Sequence, residues 1–299
     1  MRVTIRPGRR LDVGVSAALE SLIQAWVRLT GKAVWVDDVP WLDGPSGANV
    51  IGSRFYDSYA AGAGLDIAAG QPGQGLLDDF AGLRGEGFAP ERVAPEIRDF
   101  YERTGDYDLD VWSEWTGILA PFAHGLIRFV SRHIEQFNLP LSPLDLSTGM
   151  SSEVIRLVDR RTGQVRYSGW LRRTASTGAT VYAGFYTTCQ PPRYPDPCVK
   201  VAFPLPRGGV TVILKPRNGA GGSFHLVSAG RAFGEPGYYR IHRVGSKELR
   251  VKYLPLKETF HVYLDAQKTL RTDHVLTFWS LTFLKLHYKI TPKHEHASL

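Results

Sequence analysis

After Gly149 the hydrophobic period of this chain falls to two and stays there until about residue 290. Alternation of this kind marks strands with one buried and one solvated face. It predicts eleven of them, at 153–158, 165–173, 180–188, 199–203, 210–215, 223–228, 238–243, 248–254, 258–265, 270–279 and 282–290. Short turn signals separate many of these runs, for example at Arg161 to Gly163, Arg207 to Gly209, Val244 to Ser246 and Ala266 to Lys268, and tight turns make neighbouring strands antiparallel. So many strands in one meander curl, so a closed or nearly closed barrel, or a strongly bent sheet, is the expected form.

Upstream the period is helical. Val15, Leu19, Leu22, Ile23 and Trp26 recur at three- and four-residue steps, between Asp12 as an N-cap and Gly31 as a C-cap. Further helices are expected near 53–61, at 76–83 and at 95–103, with short strands at 3–5 and 33–36. The longest helical signal runs from Leu109 through Trp112, Trp115, Phe122 and Phe129 to Phe137, kinked at Pro121.

The expected fold class is therefore α+β. An acidic, mainly helical region (1–149) packs as a layer on a basic antiparallel β-barrel region (150–299), with a shared interface. As fold-level analogy alone, this resembles lipocalin-like or helix-grip cavities.

Charge follows the same division. Residues 1–150 hold 13 Lys/Arg against 20 Asp/Glu, and residues 151–299 hold 23 against 9. Such a split suits two layers that attract each other, or one layer that meets an anionic partner. A nucleic-acid partner is disfavoured, because Arg156, Arg166, Arg172, Lys200, Lys215, Arg250 and Lys285 are scattered as single outward positions and form no stripe. No transmembrane segment is expected, since the least charged window, 116–130, is shorter than the ~20 residues a bilayer requires. Peripheral contact with a membrane through that window stays open. No signal peptide is read, and two cysteines suit a reducing, cytoplasmic setting. Cys189 and Cys198 flank one loop and are read first as ordinary thiols.

Searches for chemistry return little. The glycines between 62 and 75 lack the strand and Lys-Ser/Thr pair of a phosphate cradle, and no serine elbow or His-Glu-x-x-His occurs. His294 and His296 suit adventitious metal binding only, so no cofactor and no metal is expected.

Polar groups are densest near the end of the chain. His274 shares a strand face with Leu270 and Leu276, where a buried imidazole needs either a structural partner or a ligand. Asp273 must point to the other face, and Arg271 is its expected salt-bridge partner. His274, Tyr263 and Glu258 are the candidate acid–base residues. Trp170, Tyr182, Tyr186, Tyr239 and Trp279 are the candidate walls of a pocket, because aromatic rings with polar tips suit an apolar small molecule.

Three functions follow as expectations. One is an enzyme without a cofactor, of isomerase, cyclase or lyase type, acting on an apolar molecule. The others are a carrier of a lipid-like ligand and a filled barrel used for interaction.

Overall fold

The computed structural model describes residues 21–46, 55–69, 71–117, 150–174, 180–205 and 207–293. The expectations for a strand at 3–5, for Asp12, Val15 and Leu19, for a helix from Leu119 to Phe137 kinked at Pro121, and for His294 and His296 lie outside these residues.

Three strands come from the first half of the chain: β1 (Lys32–Trp35), β2 (Leu65–Ala69) and β3 (Tyr107–Trp115). The second half supplies the predicted eleven: β4 (Met150–Asp159), β5 (Val165–Thr174), β6 (Thr180–Cys189), β7 (Cys198–Leu205), β8 (Gly208–Asn218), β9 (Phe224–Val227), β10 (Tyr238–Arg243), β11 (Glu248–Leu254), β12 (Leu256–Leu264), β13 (Leu270–Phe278) and β14 (Leu281–Pro292). Among the described residues the helices are few: α1 (21–30), α2 (Phe55–Ala63) and α3 (Pro95–Glu102).

The strands form one antiparallel sheet in the order β2-β4-β5-β6-β7-β8-β9-β12-β13-β14-β3. It forks at β8, the longest strand of its neighbourhood. The first half of one β8 edge pairs with β10, at Gly208 to Val212, and the second half pairs with β9, at Lys215 to Asn218. From β10 the short branch continues to β11 and β1.

The sheet bends around a core but does not close, which corrects the expected barrel. The path ends on β2 and β3, and among the described residues no ladder joins β3 to β4. One physical reason is that β2 already pairs with Ile155 to Asp159, half of the β4 edge that closure would need. A side chain bridges the gap instead: Lys293 Nζ donates to Gly105 O at 2.6 Å and to Ser152 O at 3.0 Å.

The longest helical signal is also corrected where it can be checked. Residues 107–115 form β3, with Leu109 and Val111 buried and Asp110, Trp112 and Glu114 exposed. That segment satisfies a period of two as well, and the free edge of β14 captures it in register from Leu284↔Trp115 to Pro292↔Tyr107. The expected helix at 76–83 is likewise mostly irregular, with one 3₁₀ turn at Ala81–Leu83. Its donors go elsewhere: Leu77 N bonds Tyr101 O at 3.1 Å and Phe80 N bonds Glu102 Oε1 at 2.8 Å. Leu76, Leu77, Phe80 and Leu83 are nonetheless all buried.

Among the described residues the helical layer is thus only partly seen. Pro at the first turn starts α3, whose Ile97, Phe100 and Tyr101 cover the main core at the concave face of the sheet. On the other face α2 lays Tyr56 and Ala60 against Leu157, Leu171 and Phe185. A third core packs Trp41 and Leu42 on Tyr239 and Leu249. Ion pairs tie acidic early residues to basic later ones, as in Asp78–Arg156 at 2.8 Å and Asp43–Arg243 at 3.0 Å.

Candidate functional site

The concave face encloses a cavity of about 120 Å³. Its walls are mostly apolar, with Phe100 and Leu76 at one side and Phe203, Leu214, Leu226 and Leu286 from the sheet. Alternation puts these side chains there, since each strand sends every second residue inward.

Four charged or strongly polar side chains also line it: Arg172, Glu258, Thr272 and His274. All four are buried. Phe260 faces His274 across the β12–β13 ladder, so Glu258, two residues earlier on the same face, reaches His274 diagonally. The His274 ring lies flat on Phe260, with centroids 3.8 Å apart. Glu258 Oε2 then accepts from Tyr238 OH at 2.7 Å, and His274 Nε2 stands 2.9 Å from the same oxygen. Burial, and next the Glu258 carboxylate, push the Tyr238 hydroxyl well above its ordinary range, so it keeps its proton and donates. Tyr238 and His274 thus converge on one carboxylate oxygen.

The backbone holds this cluster in place. Glu258 N donates to Ser228 Oγ at 2.8 Å, and Ser228 N donates to Glu258 O at 3.0 Å. Opposite, Trp170 Nε1 donates to Ser152 Oγ at 2.8 Å, and the Arg172 guanidinium lies over the Trp170 ring at 4.4 Å and the Tyr288 ring at 5.7 Å. Such stacking suits a planar, weakly hydrated cation in an apolar wall.

Of the residues singled out from sequence, Glu258, His274, Trp170 and Tyr186 line the cavity. The others do not. Tyr263 points to the opposite sheet face, where it stacks on His261 at 4.7 Å; burial and Asp273 raise its hydroxyl. Tyr239 belongs to the third core, its hydroxyl donating to Glu235 O and accepting from Gly234 N at 3.1 Å. Trp279 sits in the β13–β14 turn, 71 % exposed. Tyr182 lies in β6, with its side chain outside what is described.

Sequence reasoning missed Tyr238, Arg172 and Thr272. Tyr238 and Tyr239 are neighbours on β10, and a slip of one residue exchanges faces. Ile241 two places after Tyr239 gives that face the more apolar pattern, whereas Tyr238 is followed by Arg240 and His242. Asp273 does point away from His274, but its partner is His287 Nδ1 at 2.7 Å, while Arg271 pairs with Asp265 at 3.0 Å. Cys189 and Cys198 are register partners and free thiols; burial pushes Cys189 up to about 11 and raises Cys198 further.

Among the described residues there is no cluster of metal-ligating side chains, and no helix is long and apolar enough to cross a membrane.

No family model and no solved structure matches the chain. A curated protein does. Over 219 residues the chain is 30% identical to a Bacillus subtilis (strain 168) protein named as an uncharacterized membrane protein, YndJ. The matched stretch is 73% of this chain and 38% of that relative, so the chain spans well under half the relative's length.

Proposed function

We propose that this protein binds a small, largely apolar molecule in the cavity of its concave face. The observation that carries this reading is the cavity itself: about 120 Å³ of space with apolar walls on which Glu258, His274, Tyr238 and Arg172 converge. A few placed polar groups in an apolar hollow are the general makeup of a small-molecule site. The volume is below the ~300 Å³ at which drug-sized pockets begin, so the occupant is small.

An acid–base step on the bound molecule, of isomerase, cyclase or lyase type, is the second reading. The carboxylate–imidazole contact of Glu258 with His274 favours it over a passive carrier, because a carboxylate that orients an imidazole is a common way to ready a general base. The similarity to YndJ adds the proposal that this β-rich unit works beside a membrane, as a peripheral contact.

Native mass spectrometry of protein purified gently from its own cells tests the first reading. A stoichiometric apolar compound that survives transfer supports it. A bare protein that also takes up no apolar probe would instead favour a filled fold used for interaction.

A further inference from the structure

Glu258 is 5% exposed and lines the cavity, yet its two carboxylate oxygens are used unequally. Oε2 takes both Tyr238 and His274. The other polar contacts of the residue, with Ser228, involve its backbone. Among the described residues no donor reaches Oε1. A carboxylate has room for about four donors, so Oε1 can accept one from a bound molecule.

We infer that the molecule bound in this cavity is a neutral alcohol, about the size of a single small ring, whose hydroxyl donates to Glu258 Oε1. This rests on the ligand-binding reading above and names its chemical class. Charge argues for a neutral molecule: Arg172 and Glu258 are the two formal charges of the lining and cancel. An ammonium would meet the permanently charged guanidinium, and a carboxylate would meet Glu258. Size argues for a ring, because an apolar cavity of about 150 Å³ admits benzene, and this one is close to that volume.

Three probes of nearly equal size separate the possibilities, titrated calorimetrically into the whole chain: cyclohexanol, cyclohexanone and methylcyclohexane. Cyclohexanol is expected to bind about 10- to 100-fold tighter than the other two, the worth of a hydrogen bond to a charged acceptor. In Glu258→Gln the amide can turn its N–H₂ toward the cavity, so cyclohexanone gains on cyclohexanol and the preference shrinks or reverses. Should that variant fail to fold, the carbon-13 shift of the wild-type Glu258 carboxyl gives the same answer, moving with cyclohexanol and not with methylcyclohexane. Equal binding of all three probes would overturn the alcohol inference and leave the cavity as a ligand site. Binding of none would overturn both.

Discussion

Glu258 and His274 meet as diagonal neighbours across the β12–β13 ladder, 2.9 Å between Oε2 and Nε2, inside a wall that is mostly apolar. The pair joins the energetics of the fold to those of the site. Removing His274 strips one of two donors from a buried carboxylate, and breaking such a pair costs about 3 kcal/mol. His274→Ala should lower the urea unfolding free energy by that order. Glu258→Gln combined with His274→Ala should cost clearly less than the two single losses added, because the carboxylate that needed the imidazole is gone. Strict additivity would mean that the two residues do not act as a unit.

Gly169 makes a second close relationship testable. A Cβ built there would lie 2.3 Å from Tyr56 Cε1, and the Tyr56 hydroxyl reaches Trp170 O at 3.3 Å and Gly184 O at 3.2 Å. Gly169→Ala must displace the Tyr56 ring that packs on it, and overpacking of this kind costs about 1 to 3 kcal/mol. A lowered melting temperature is expected, partly restored when Tyr56→Phe or a smaller residue is added. An unchanged one would show that α2 is not fastened at this point.

On the outer face, His225 stacks on His261 with centroids 4.3 Å apart, beside Arg217. Burial, then His261 and Arg217, hold the His225 imidazole below its ordinary value. The unfolded chain therefore takes the proton first. Stability from this group is fully present above the ordinary histidine value of about 6.5 and is lost as pH falls through the lowered folded value. Melting curves from pH 8 to pH 5 should drop more steeply for the wild type than for His225→Asn. Parallel profiles would remove His225 from the acid response.

The β13–β14 turn holds a bulky residue where the backbone is left-handed, with φ of 46° at Trp279 and 76° at Ser280. Asn-Gly is the pair that such a two-residue turn favours. Trp279→Asn with Ser280→Gly should stabilise the protein by about 0.5 to 1 kcal/mol and leave probe binding in the cavity unchanged. A loss of binding would move the site toward the turn.

The later half of the fold was legible because a period of two, punctuated by turn residues, admits little else. The strands of 150–292 follow that signal closely. What sequence could not carry was pairing over long distance. Whether Leu109 to Trp115 becomes helix or strand depends on an edge of β14 some 170 residues away, and whether the sheet closes depends on β2 reaching β4 first. The site was half legible for the same reason. His274 on an apolar face announced a need for a partner, and Glu258 answers it. The choice between Tyr238 and Tyr239 turned on one residue of register, and Arg172 looked like one more outward charge until the bend of the sheet carried its face inside.

The most direct test of the account is ligand occupancy of the concave cavity in a wild type and in a filled variant, Leu226→Phe. Calorimetric titration with cyclohexanol should give one site in the wild type and none in the variant, with both proteins folded. Equal binding by the two proteins would place the ligand elsewhere and contradict the reading of this cavity as the functional site.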